Sequence, residues 1–310
     1  MRGRSANRAA DEVRTQGGRA PTKSEPSGPW RLVLSRPADG PWNMAADEAI
    51  MREVSHGESP PTVRLYSWEK PCVSLGYAQR GVDALAGRCA AAGVGLVRRI
   101  TGGRAVLHDL EIAYSVAAPL RLGNEFATIP EAYRFLSGAL RLALEKLGLP
   151  GDGVPEQSSQ RCAPSPPRRA SGAMCFALTI GGDVRVGNAK VAGSAQARKE
   201  GVLLQQGSVL LGVNWALQGA IFGPEAELVR AGGLMAGVRE LGLGDTSEQQ
   251  VEQALVEGFT SILGPLLEGP LTAREQALTC ELELARYGSE GWNRRGRRAG
   301  PLVDVSGREW

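Results

Sequence analysis

The chain has 310 residues, 42% of them hydrophobic and 22% charged, and a formal net charge of +3, the profile of a soluble globular protein with enough chain for a sizeable core. Residues 1–30 hold six basic groups against three acidic ones and leave the remainder balanced at 30 against 30, so the body has no basic footprint for nucleic acid. No apolar run is long enough to span a membrane, no apolar h-region opens the chain, and five widely spaced cysteines without a C-x-x-C speak against a disulfide framework or a zinc site and fit a reducing cytoplasm.

Residues 1–28, rich in Arg, Ser, Gly and Pro, read as a disordered basic extension. Trp30–Leu34 is a strand candidate. Asn43–Val54 has helical spacing at Met44, Ala45, Glu48 and Met51, with Asn43 as its expected N-cap. Thr62–Tyr66 and Cys72–Leu75 are strands, and Ala84–Ala92 is a small-residue helix closed by Gly93. Two strand-like runs, Val94–Val97 and Ile112–Ala117, bracket Arg98-Arg99-Ile100-Thr101-Gly102-Gly103-Arg104-Ala105-Val106-Leu107-His108-Asp109. That stretch is either a hairpin turn with solvated charges or a cradle in which glycine backbone approaches a ligand beside arginines and a histidine.

Pro130–Leu147 is the clearest helix. Gly151–Gly172, made of Pro, Ser, Gln and Arg, is expected to be a long loop. Strand-like pieces follow at Met174–Ile180, Lys190–Ala195 and Val202–Leu211, then helices at Gln249–Leu266 and Ala273–Leu284. Residues 286–310 are expected to form a loose C-terminal tail, leaving 29–285 as one domain. Helices and strands interleave without a regular βαβ rhythm, which predicts one α+β domain and not a doubly wound sheet.

Cys175 opens a strand, and Lys190 follows fifteen residues later. If Gly182-Asp183 forms the hairpin turn, Cys175 stands opposite Lys190, where a lysine ammonium would favour the thiolate nucleophile. If the turn is Gly181-Gly182, Cys175 faces Asn188 instead.

Asn43-Met44-Ala45-Ala46-Asp47-Glu48-Ala49, Arg64-Leu65-Tyr66, Ser74-Leu75-Gly76-Tyr77, the Arg98–Asp109 stretch and Lys190-Val191-Ala192-Gly193-Ser194-Ala195-Gln196 occur in one order. Over residues 30 to 265 the chain resembles the lipoate–protein ligase A / octanoyltransferase family, whose catalytic domain is akin to biotin protein ligase. The resemblance implies a mixed-sheet α/β domain with an acyl chain lying beside Lys190. Within the family, lipoate ligases activate a free acid with ATP and carry a third glycine where this chain has Arg104. The Arg-Arg-x-Thr-Gly-Gly-Arg form, with a Cys-Phe pair at 175–176, is similar to the cysteine-dependent octanoyltransferases.

By that resemblance Cys175 is the nucleophile, with Cys162 a weaker candidate, and Lys190 the general acid and base. Arg99, Gly102, Gly103, Arg104, His108, Gly193 and Ser194 would bind substrate. The implied partners are octanoyl-acyl carrier protein as donor and a lipoyl-domain protein, such as the glycine-cleavage H protein, as acceptor. No cofactor or metal is implied. The alternatives are an octanoyl amidotransferase acting between lipoyl domains, an ATP-dependent lipoate–protein ligase, and a carrier-protein-binding scaffold without activity.

Overall fold

Strands and helices interleave along residues 29–150 and 183–296, the parts of the chain that the computed structural model describes. The N-terminal half contributes β1 (Trp30–Leu34), α1 (Gly40–His56), β2 (Thr62–Tyr66), β3 (Cys72–Leu75), α2 (Asp83–Ala91), β4 (Gly95–Arg98), β5 (Val106–His108), β6 (Glu111–Pro119) and α3 (Ile129–Lys146). Beyond it come β7 (Val184–Val186), β8 (Ala189–Lys199), β9 (Val202–Leu210), α4 (Trp215–Phe222), α5 (Pro224–Ala231), α6 (Glu248–Leu263), β10 (Leu266–Glu268) and α7 (Ala273–Leu282). The expected strand at Met174–Ile180, the Gly151–Gly172 loop, the N-terminal extension, Cys162 and Cys175 lie outside the described residues.

Seven strands form one sheet in the order β10-β1-β2-β6-β9-β8-β7, parallel at the β10-β1-β2 end and antiparallel from β2 onward. The expected mixed-sheet α+β architecture is therefore present. Period-two alternation gives the sheet two faces. Leu65, Tyr114 and Val116 turn to one face, where Leu136, Leu140 and Ala143 of α3 and Val251, Leu255 and Phe259 of α6 complete the main core. The capping box of Thr128 and Glu131, with Pro130 in the first turn, fixes the start of α3. The opposite face carries α1, against which α7 packs.

A second, three-stranded sheet in the order β4-β3-β5 stands beside the first, with α2, α4 and α5 closing its own apolar cluster. β4 runs parallel and β5 antiparallel to β3. The Arg98–Asp109 stretch is thus a crossover over β3 and not a hairpin turn. Its first two arginines are not solvated either, since Arg98 is 0% and Arg99 5% exposed.

α1 starts earlier than expected. Asp39 caps it, its Oδ1 accepting from the Trp42 backbone N–H at 2.9 Å. Asn43, expected as the cap, is inside the helix and buried; its Nδ2 donates to the Ala38 and Ser67 carbonyls and its Oδ1 accepts from Arg64 at 2.7 Å. Short polar side chains favour caps because they bond locally to backbone, and here a tertiary partner outcompetes that role.

Three buried ionic clusters tie the sheet to its surroundings. Asp47 and Arg64, both 0% exposed, pair at 2.7 Å, and Asp47 also accepts from Ser115 Oγ and Gln206 Nε2, each at 2.7 Å, and from Tyr66 Oη at 3.1 Å. Arg31 holds Glu275 through two bonds of 2.5 and 2.9 Å. Glu48 accepts from Arg52, Arg286 and Tyr287 Oη, each at 2.5 Å. Burial by itself would raise the Glu48 carboxyl, but Arg286, Arg52 and the Tyr287 hydroxyl hold it below its ordinary value.

Residues 286–296, expected to be loose, are packed. Two wide helical turns, Glu283–Tyr287 and Gly291–Arg295, bury Arg286, Tyr287, Trp292 and Asn293. Arg98 secures them: its guanidinium donates to the carbonyls of Trp292 and Asn293 at 3.1 Å, and also to Gly76 at 2.7 Å and Gln79 at 2.8 Å.

The hairpin that carries Lys190 has another register than either one expected. Arg185 pairs with Lys190 and Val186 with Ala189, so the turn falls at Gly187-Asn188, with Gly187 at φ 57. The glycine-asparagine pair closer to the lysine supplies the left-handed residue, and Asp183 meets Lys190 by its side chain.

Candidate active site

A cleft lies between the two sheets. Met44 of α1, Tyr66 of β2 and Gln206 of β9 line it, with residues of both sheets around them. Gln206 is fixed by Asp47 on one side and by Thr101 Oγ1 at 2.8 Å on the other, so the buried ionic cluster under α1 also shapes the cleft.

Lys190 enters from β8. It is 2% exposed, and its Nζ meets Asp183 Oδ1 at 2.8 Å. A bulge between Val184 and Arg185 offsets the β7–β8 pairing just there, a device that re-aims a side chain. The Lys190 backbone is clamped as well, its N–H donating to the Leu234 carbonyl at 2.9 Å and its own carbonyl accepting from Ala236. Gly193 makes the room: a Cβ there would stand 2.7 Å from Lys190 Cε and 3.0 Å from Nζ. Gly193→Ala is therefore expected to displace the amine while sparing the fold, and a displacement of about 1 Å at a reacting group can lower the rate about 10²-fold. Comparison of transfer rate and thermal midpoint for the two proteins checks this.

The small sheet contributes an aligned polar row. His108 Nδ1 meets Glu111 Oε1 at 2.6 Å, and His108 Nε2 meets Ser74 Oγ at 2.7 Å. The Trp68 ring stacks on the imidazole with centroids 4.1 Å apart, while its Nε1 donates to Glu111 Oε1 at 3.0 Å. Arg99 donates to both the carbonyl and the hydroxyl of Ser74, each at 2.9 Å, and to the Gly102 and Arg104 carbonyls at 2.7 and 2.9 Å.

Of the expected site residues, Arg99, His108, Lys190, Gly193 and Ser194 line this cleft together. The Ser194 hydroxyl is engaged by Tyr114 Oη at 2.6 Å. Gly102, Gly103 and Arg104 are not among the described residues that line it. The close approach at the glycine pair is chain on chain: a Cβ on Gly76 would fall 1.9 Å from the Gly103 carbonyl oxygen, with Gly103 at φ 92. Cys175 lies outside the described residues. Asp183, Ser74, Trp68 and Gln206 were not among the expected site residues. Glu111 was not among them either, although its spacing of three from His108 is readable.

Residues 39–260 match the lipoyl protein ligase A/B catalytic domain. The chain belongs to this family. It is 38% identical to the octanoyltransferase LipM of Kyrpidia tusciae over 275 residues, which is 86% of this chain and 98% of that one. Its fold is similar to a lipoate protein ligase of T. acidophilum with bound lipoic acid, with a TM-score of 0.67 and 26% identity, over 86% of this chain and 99% of that chain. It is also similar to lipoate-protein ligase A bound with ATP, with a TM-score of 0.66 and 25% identity, over 86% and 98% of the two chains. No helix among the described residues is long and apolar enough to cross a membrane.

Proposed function

We propose that the chain is an octanoyltransferase of lipoate biosynthesis, moving octanoyl from acyl carrier protein through a Cys175 thioester to a lysine of a lipoyl-domain protein such as the glycine-cleavage H protein. The observation that carries this reading is a buried Lys190, ion-paired at 2.8 Å, in a cleft of a chain that matches an octanoyltransferase over 98% of the latter's length. In the first step the Cys175 thiolate attacks the donor thioester, and the carrier thiolate leaves and takes a proton from the Lys190 ammonium. In the second, the acceptor amine attacks the octanoyl-cysteine, Lys190 takes a proton from the attacking nitrogen, and the Cys175 thiolate departs. The donor is already activated, so no nucleotide is consumed. Conversion of thioester to amide makes the second step favourable.

The ligase reading has support in the fold shared with an ATP-bound ligase. Against it stands Arg104, a side chain in the turn where that class carries a third glycine and where close backbone approach to phosphate needs none. Intact-mass measurement after incubation with octanoyl-acyl carrier protein decides between them. The expected result is one octanoyl group, labile to hydroxylamine, mapping to Cys175 on digestion and lost on addition of apo H protein. Absence of the adduct, its placement on another residue, or pyrophosphate release from lipoate and ATP would overturn the proposal.

A further inference from the structure

The proposed reaction leaves one proton to place. The acceptor lysine arrives as an ammonium, with an ordinary pKa of about 10.4. It must lose one proton before its nitrogen can attack and a second as the amide forms. Lys190, having given a proton to the carrier thiolate, can take back only one. Across a full cycle, octanoyl thioester plus ammonium yields amide, free carrier thiol and one proton released to water. That proton goes directly to solvent unless the site supplies a second base.

We propose that His108, acting through the Ser74 hydroxyl, takes this first proton from the acceptor ammonium, with Glu111 holding the imidazole; the inference rests on the transferase reading above. The hydrogen-bond directions agree with it. Glu111 Oε1 accepts 2.6 Å from His108 Nδ1, so a neutral imidazole carries its hydrogen on Nδ1 and its lone pair on Nε2. The Ser74 hydroxyl, 2.7 Å away, can donate to that lone pair while its oxygen accepts from Arg99 Nη1. As the acceptor's proton passes to Ser74 Oγ, the Ser74 hydrogen passes to Nε2, and every atom keeps its valence.

The surroundings suit an imidazole that gains a charge for a moment. Glu111 is 2% exposed, and its Oε2 has no hydrogen-bond partner among the described residues. The charged and titratable groups facing the ring come from several elements. Glu111 of β6 favours the imidazolium, while Arg99 after β4 and Lys190 of β8, which line the same cleft, oppose it. Tyr66 of β2 is kept neutral by burial, which pushes its hydroxyl well up. Cys72, the β3 partner of His108, is a buried thiol likewise pushed up by burial. Asp109 is turned to Asn214 Nδ2 at 3.1 Å. The His108 side chain is 13% exposed, enough to pass its proton to water.

The half-reactions separate this role from a bracing one. The full chain and the variants His108→Gln and Glu111→Gln are first charged with octanoyl-acyl carrier protein, then mixed with apo H protein, and both steps are timed by rapid quench from pH 7 to pH 10. The expected result is a transfer step slowed about 10²-fold at pH 7 in His108→Gln, the size of a lost general base. The difference from the parent should shrink as the acceptor lysine loses its own proton, whereas any loss in the charging step should not follow that pH dependence. An equal loss in both steps at every pH, or no loss in transfer, overturns the inference and leaves the transferase reading standing. A parent protein that takes up no octanoyl group overturns that reading, and the inference with it.

Discussion

Lys190→Met is expected to lower octanoyl transfer about 10³-fold, the range of a positioned acid and base. The same substitution should also destabilise the protein. Lys190 and Asp183 are each 2% exposed, so removing the cation leaves a buried carboxylate without its counter-charge. Breaking a buried pair from one side costs about 3–5 kcal/mol. Replacing both members removes the desolvated charges together and is often neutral. The double variant Lys190→Met with Asp183→Asn is therefore expected to recover most of the lost stability and none of the lost rate. Urea unfolding beside a transfer assay checks both halves. Recovery of the rate in the double variant would show that the single one fails through folding, not chemistry.

Asp47→Asn is expected to cost about 3–5 kcal/mol by the same physics, with the sign of the residual charge reversed. Arg64 is 0% exposed and would keep its charge beneath α1, with the Asn43 side chain and the Tyr66 ring, 4.1 Å from its Cζ, as neutral company. The loss should reach the cleft as well. Gln206 Nε2 donates to Asp47 Oδ2, and Gln206 lines the cleft. A lower urea midpoint with an unchanged slope, together with weaker binding of the acyl donor, is the expected pair of readings. An unchanged midpoint would mean that the Asp47–Arg64 pair contributes nothing net.

The elements readable from sequence are short apolar strands buried on both faces and a helix buried on one side. β1, β2 and β3 run over the expected residues, and α3 begins and ends within a residue of its apolar stripe. α4 was missed because Trp215, Ala216, Leu217, Ala220, Ile221 and Phe222 present apolar surface all round, which leaves no stripe to read. α6 stops at Leu263, ahead of Gly264 and Pro265, and the expected helix end at Leu266 instead opens edge strand β10. The site was legible in part. Motif order placed Lys190, Arg99 and His108 in one neighbourhood. Asp183 was not legible, because its partnership depends on a hairpin register that shifts with the choice among Gly181-Gly182, Gly182-Asp183 and Gly187-Asn188. Ser74 and Trp68 were invisible as site residues for a similar reason: Ser74 meets His108 through the register of the β3–β5 pairing, and Trp68 through the link from β2 to β3 that stacks it on the ring.

The clamp at Arg98 bears on how the chain is made. Its guanidinium is completed by carbonyls 194 and 195 residues further along the sequence, and Arg31 and Glu48 wait for partners 244 and 238 residues away. A chain emerging in order from its N-terminus therefore carries Arg31 without Glu275, Glu48 with only its local partner Arg52, and Arg98 with only its nearer carbonyls until residues 275–293 are made, and contacts of such long sequence separation close late and slowly. The last described turns act as a latch on a fold otherwise laid down, and a ribosome that stalls before residue 290 leaves β4 and its loop unfastened.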